Sequence, residues 1–121
     1  MKKILIVDDE EKVRKLVEVT LSVGDLEILH ASSGDEALKV ARKTRPDIIL
    51  LDIMMPGRLD GFDVCRVLKK DPDTKDIYII MLTAKGQQAD KQRGLASGAN
   101  DYFVKPFSPM ELMDKIDKVQ A

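Results

Sequence analysis

PDIILLDIMMPG, residues 46–57, runs apolar from Ile48 to Leu51, halts at Asp52, turns apolar again through Ile53-Met54-Met55 and breaks at Pro56-Gly57. A short apolar run bounded by turn signals reads as a strand buried on both faces, the kind found at the centre of a parallel sheet covered by helices. A carboxylate at the end of such a strand costs several kcal/mol unless it is paired, hydrogen-bonded or bound to a metal. Asp52 therefore asks for partners from elsewhere in the chain.

Working outward, runs of strand length recur at Ile4–Val7, Leu26–Leu29, Ile77–Leu82 and Tyr102–Val104, and each is followed by a helical pattern. The first helix places Val13, Leu16, Val17, Thr20 and Leu21 in a stripe expected to face the sheet, with Gly24 as its stop. The second opens at Ser33-Gly34-Asp35-Glu36 and the fifth at Ser108-Pro109-Met110-Glu111. Both have Ser at the N-cap and Glu three residues on, the pattern of a reciprocal cap, and Pro109 suits the first helical position. The third, Gly61 to Lys70, carries Val64, Cys65 and Leu68 on one side and ends before Asp71-Pro72. The fourth, about Gly86 to Leu95, has little apolar area and is expected to dock weakly. Leu26-Glu27-Ile28-Leu29-His30 is mixed in character and reads as an edge strand, with His30 on the surface. The alternation predicts an α/β fold: a single doubly wound (βα)5 domain spanning residues 1–121, with helices on both faces of a parallel sheet.

Composition narrows the function classes. With 121 residues, 44% apolar and 34% charged, the chain is the size of one domain able to bury roughly two-thirds of its unfolded surface. Twenty basic against 21 acidic side chains give a net charge of -1, which offers no basis for nucleic-acid binding, and no apolar run is long enough to span a bilayer. MKKILIVDDE reaches carboxylates before a signal-peptide core forms, so the expected location is cytoplasmic. Cys65 has no partner for an internal disulfide and reads as a small core residue.

In an open parallel sheet, ligands bind beyond the carboxyl ends of the strands where the strand order reverses. Strand 1 ends in Asp8-Asp9, strand 3 in Asp52, strand 4 in Thr83 and strand 5 in Lys105. Three carboxylates beside one amine suit a hard divalent cation, Mg²⁺ first, with Mn²⁺ as a substitute. Asp52, the deepest, is placed to act as a nucleophile on phosphorus while Asp8 and Asp9 hold the metal. Lys105 and the Thr83 hydroxyl then compensate charge on an arriving phosphoryl group. Each residue alone has an ordinary explanation: Asp8-Asp9-Glu10-Glu11 as an acidic turn complementing a helix dipole, Asp52 as a cap, Thr83 as structure, Lys105 as a solvated cation. Their meeting at one rim is what those explanations do not require.

ILIVDDE at 4–10, IILLDIMMPG at 48–57, DGFDV at 60–64, IIMLTAKG at 79–86 and GANDYFVKPFSPMEL at 98–112 together resemble the response-regulator receiver domain, from Lys3 to about Val119. The resemblance implies a strand order of 2-1-3-4-5. It implies that Asp52 accepts a phosphoryl group from a phosphohistidine on a sensor kinase, and that Asp8, Asp9, Asp52 and the Met54 backbone carbonyl bind Mg²⁺. Lys105 would contact the phosphoryl oxygens, the Lys105–Pro106 bond would be cis, and Thr83 with Tyr102 would form a switch pair remodelling the surface of helix 4, strand 5 and helix 5. Lys91, Asp101, Glu111 and Lys115 resemble the charged set with which receivers of winged-helix transcription factors dimerise; a solvated face explains them equally well. Met55-Pro56-Gly57-Arg58-Leu59-Asp60-Gly61 is one residue longer than the family's usual loop. Met54 offers attacking water no hydrogen bond and Lys85 is long enough to lean over the site, so slow self-hydrolysis is expected.

Two output modes stay open: a stand-alone receiver acting by protein contact or phosphorelay, or the receiver of a longer transcription factor. Kinase specificity is expected on helix 1, at Lys12, Arg14, Lys15 and Glu18. A Mg²⁺-dependent phosphohydrolase of the haloacid-dehalogenase kind would want an acid-base Asp at the position of Met54. A nucleotide or flavin site would want a Gly-rich turn where Asp8-Asp9-Glu10-Glu11 stands.

Overall fold

The structure is a computed structural model that describes residues 2–22, 25–55, 57–84, 88–105 and 108–119; the side chains at 83, 84, 88–91, 105 and 109 lie outside that description. In chain order the described elements are β1 (Lys2–Val7), α1 (Glu11–Leu21), β2 (Leu26–Ala31), α2 (Gly34–Thr44), β3 (Ile48–Asp52), α3 (Gly61–Lys70), β4 (Tyr78–Ala84), α4 (Gln88–Ala96), β5 (Asp101–Lys105) and α5 (Pro109–Lys118). The five strands pair in parallel in the order β2-β1-β3-β4-β5, which puts the mixed strand β2 at an edge, as expected.

Successive strand residues point to opposite faces, and the core divides accordingly. Ile4, Ile6, Ile48, Leu50, Ile80 and Leu82 meet Val17 and Leu21 of α1 and Leu112 and Ile116 of α5. Leu5, Val7, Ile49, Leu51, Ile79 and Met81 meet Ala37, Leu38 and Ala41 of α2 and Phe62, Cys65 and Leu68 of α3. The predicted stripe on α1 is too wide: Val17 and Leu21 are buried, but Leu16 is 61% exposed. Each helical residue turns about 100°, so Leu16 lies a full step around from Val17, past the edge of the face that the sheet covers. Gly24 lies outside the described residues; α1 itself ends at Leu21, with Ser22 as its cap.

The caps follow the sequence in part. Ser33 Oγ accepts from Glu36 N at 3.2 Å and Ser108 Oγ from Glu111 N at 3.4 Å, while Glu36 Oε1 accepts from Ser32 N rather than from the cap residue. The reciprocal pair belongs to α3, where Asp60 Oδ1 accepts from Asp63 N at 2.9 Å and Asp63 Oδ2 from Asp60 N at 3.1 Å. Helix α4 lies against β4, β5 and α3. Among its described residues only Gly94 is buried, seated against Met81, and Leu95 is 45% exposed; the Arg93 guanidinium covers the Phe62 ring at 4.2 Å. No helix among the described residues is long and apolar enough to cross a membrane.

Cys65 is fully buried on α3, its thiol donating to the Ser97 carbonyl at 3.6 Å. Burial pushes its pKa up, because the thiolate loses hydration that the Ser97 contact and the nearby Lys69 and Arg66 charges only partly offset. The thiolate is the reacting form, so the folded protein is expected to react only slowly with a disulfide reagent even at mildly alkaline pH, and rapidly once denatured. Fast native-state labelling at pH 8 would contradict this placement.

Candidate functional site

The chain reverses its direction of winding between β1 and β3, because β2 lies on one side of β1 and β3, β4 and β5 on the other. Val7 sits opposite Leu51 in the register, so the residues that follow, Asp8 and Asp52, leave the sheet at the same level on either side of that switch point. Carboxylate oxygens of Asp8, Asp9 and Asp52 all lie within 4.8 Å of one another. Asp8 is fully buried, Asp52 is 6% exposed, and Asp9 faces solvent, so the cluster has a closed floor and an open mouth.

The positions of these carboxylates are fixed by backbone bonds. Asp8 N donates to Ala31 O at the end of β2 at 3.1 Å, and Glu10 N donates back to Asp8 Oδ1 at 3.0 Å. Arg14, one turn into α1, donates from Nη1 to the Asp8 carbonyl at 2.6 Å. On the other side, Ile53 N donates to Leu82 O at 3.4 Å and Gly61 N to Ile53 O at 3.0 Å, tying the exit of β3 to β4 and to the start of α3. A Cβ at Gly61 would stand 2.5 Å from Asp52 O and 2.8 Å from Ile53 Cα, so only glycine lets α3 come this close to the residue carrying the carboxylate. Gly61→Ala is expected to cost about 1–3 kcal/mol as an overpacking change and to displace Asp52. Chemical denaturation checks it, and an unchanged midpoint would show that the backbone yields without cost.

The loop between β3 and α3 is held by local contacts. Gly57 takes φ of +104°, Leu59 packs against Gly34 at the start of α2, and Arg58 Nη2 pairs with Asp35 Oδ1 at 2.8 Å. Met54 is 74% exposed at the rim. Tyr102 lies opposite Met81 in β5, half-buried against the α2–α3 side of the core. Thr83 and Lys105 occupy strand ends on the same rim, Thr83 opposite Val104 and Lys105 opposite Ala84, but their side chains lie outside the described residues. Pro106, and with it the cis bond, and Lys85 also lie outside them.

Of the charged set expected to dimerise, Asp101 and Lys115 meet within the chain, Lys115 Nζ lying 2.8 Å from Asp101 Oδ2 and 5.1 Å from the Phe103 ring centroid. Glu111 joins them along an open cleft between β5 and α5 of about 400 Å³, and the Lys91 side chain lies outside the described residues. At the foot of this cleft burial, with Asp101 beside it, raises the Tyr78 phenol pKa. On α1, Lys12 and Lys15 are exposed, as expected of a solvated helix face; Glu18 lies 3.4 Å from His30 Nε2, and Arg14 turns inward instead.

The oxygen-only donor set, two members of it buried, fits a hard cation of the Mg²⁺ class and gives no soft ligand for a transition metal. The residues that sequence reading did not single out for the site are Gly61 and, in its structural role, Arg14. Neither announces itself by spacing: one acts through a missing Cβ, the other through a bond to a main-chain atom.

Comparison with known proteins agrees with this geometry. Residues 4–117 match the family described as "Response regulator receiver domain". The chain is 48% identical over 118 residues to the phosphate regulon transcriptional regulatory protein PhoB of Pseudomonas aeruginosa, covering 98% of this chain and 51% of that protein. It is 50% identical over 117 residues to ycf27 of Pyropia yezoensis, named a probable transcriptional regulator, covering 97% of this chain and 46% of that one. The chain thus spans about half the length of the curated relatives it matches. Among solved structures, the chemotaxis protein CheY4 of Vibrio cholerae superimposes with a TM-score of 0.90 at 37% identity, over 99% of both chains. A sheet of this order, an acidic cluster at its switch point and a match over nearly the whole chain lead to one assignment: this chain belongs to the response-regulator receiver family of two-component systems.

Proposed function

We propose that this domain, residues 1–121, accepts a phosphoryl group on Asp52 from the phosphohistidine of a sensor kinase in the cytoplasm. The observation that carries the reading is the approach of the Asp8, Asp9 and Asp52 carboxylates across the switch point of the sheet. Asp52 oxygen attacks phosphorus, an O–P bond forms, the P–N bond to the donor imidazole breaks, and the imidazole leaves with the electron pair. Asp8, Asp9, Asp52 and the Met54 carbonyl hold Mg²⁺, or Mn²⁺ in its place. When bound, the cation supplies charge neutralisation for the clustered carboxylates and the incoming phosphoryl oxygens. Burial of Asp52 keeps bulk water from the nucleophile, and the backbone bonds around Asp8 and Ile53 hold both carboxylates without reorganisation at the moment of transfer. Thr83 and Lys105, from the neighbouring strand ends, contact the phosphoryl oxygens.

The signal leaves through Thr83 and Tyr102 to the α4–β5–α5 face. Of the described α4 residues only Gly94 is buried, and an element with little buried area costs little to move. The partner there is a downstream protein, a phosphorelay domain or a second copy of this chain joined through Lys91, Asp101, Glu111 and Lys115. The Asp101–Lys115 pair is satisfied within the chain, so dimerisation requires its exchange. Hydrolysis of the acyl phosphate is slow, since exposed, apolar Met54 gives water no partner. The test is intact mass after acetyl phosphate with Mg²⁺ or with chelator: one phosphoryl group per chain, dependent on the metal, is expected. No gain, or a gain indifferent to chelator, contradicts the reading.

A further inference from the structure

Arg14 lies on α1, the helix on which kinase specificity is expected, and yet it is directed inward. Its Nη1 donates to the Asp8 carbonyl at 2.6 Å, and its own backbone N–H donates to Glu10 O at 3.2 Å. The two bonds bracket the Asp8-Asp9-Glu10 segment from the helix side. From the sheet side the same segment is held by Asp8 N to Ala31 O at 3.1 Å, and internally by Glu10 N to Asp8 Oδ1 at 3.0 Å. Two of the three clustered carboxylates therefore hang from a loop whose path is set on one flank by β2 and on the other by a guanidinium.

We propose that Arg14 is a positioning residue for the cation site: by fixing the peptide between Asp8 and Asp9 it holds their carboxylates at the spacing from Asp52 that a divalent ion requires. This inference rests on the metal reading of the three carboxylates and deepens it. A charged donor on a carbonyl makes one of the stronger hydrogen bonds a protein forms, and Arg14 is half-buried, so water replaces it poorly. Its loss removes the side-chain tie to the Asp8 carbonyl and leaves α1 joined to the loop only through the backbone bond to Glu10 O. The carboxylates, which repel one another, then move apart. The guanidinium does not touch the ion in this role; it acts through the backbone, which separates it from a rim cation that would compete for the site.

The test is Mn²⁺ binding followed by electron paramagnetic resonance, which reads the ion without any phosphoryl transfer. The parent, Arg14→Met, Arg14→Lys, Asp9→Asn and the exposed neighbour Lys12→Met are compared, with circular dichroism as the check on folding. Arg14→Met is expected to weaken Mn²⁺ binding about 10–100-fold, the loss typical when a group supporting a metal ligand is removed. Arg14→Lys keeps the charge but neither the full reach nor the forked head, so it is expected to recover only part of that loss, and Lys12→Met to leave affinity at the parent value. If Arg14→Met fails to fold, Arg14→Lys alone decides: measurably weaker binding by the folded protein supports the role, and parent affinity overturns it. In a folded Arg14→Met, unchanged affinity overturns it, and so does tighter binding, which would make Arg14 a competing cation. A parent that binds no Mn²⁺, or an Asp9→Asn variant that binds like the parent, overturns the metal reading itself, so the two failures are distinguishable.

Discussion

Asp52→Ala is expected to take up no phosphoryl group from acetyl phosphate and Mg²⁺, under conditions in which the parent gains one. The effect should be complete rather than partial because no neighbouring carboxylate is equivalent. Asp8 is fully buried with one oxygen committed to the Glu10 amide, and Asp9 stands at the exposed mouth of the cluster. Only Asp52 combines burial with a place at the end of the central strand, between β1 and β4. The variant should also fold. The strand residues preceding it are fully buried on their own account, and removing one of three clustered carboxylates lessens their mutual repulsion. Intact mass spectrometry of both proteins decides the matter, and an equal gain in both would move the acceptor elsewhere.

Added Mg²⁺ should raise the thermal midpoint of the parent and leave that of Asp9→Asn nearly unchanged. A ligand that binds only the folded chain stabilises it by about 2.7 kcal/mol at one hundred times its dissociation constant. Without the ion the comparison reverses. Three carboxylates with oxygens inside 4.8 Å repel, so neutralising the exposed member should make the metal-free variant the more stable protein, by at most about 1 kcal/mol since solvent screens it. The crossing of the two proteins in stability as Mg²⁺ is added is the signature. A uniform rise in both, as from a general salt effect, would show that the cluster does not hold the ion.

Much of this was legible in the residues themselves. The doubly wound sheet follows from Ile48–Leu51 and its counterparts, because strands buried on both faces leave no polar alternation to misread. Asp52 was legible for the same reason: a carboxylate against fully buried leucines breaks a pattern, and pattern breaks at strand ends are where chemistry sits. What sequence could not supply was depth around a helix. Leu16 matches the apolar period of α1 as well as Val17 does, and only the extent of the sheet beneath decides that one is buried and the other exposed. Nor could it supply contacts made by atoms that every residue carries. The reciprocal cap of α3 uses Asp63 where a longer acid was the expected signal. Gly61 is read as the first residue of the third helix until the carbonyl of Asp52 is found where its Cβ would be, and Arg14 is read as surface until its partner proves to be a backbone oxygen.

The most direct test of the central claim is chemical identification of the modified side chain. Borohydride reduces an acyl phosphate of aspartate to homoserine, so treating the phosphorylated protein and sequencing its peptides by mass spectrometry reports which carboxylate carried the group. Homoserine at position 52, with Asp8 and Asp9 intact, is the predicted result. Homoserine at 8 or 9, or a phosphoryl group that survives on a hydroxyl or imidazole instead, would contradict it.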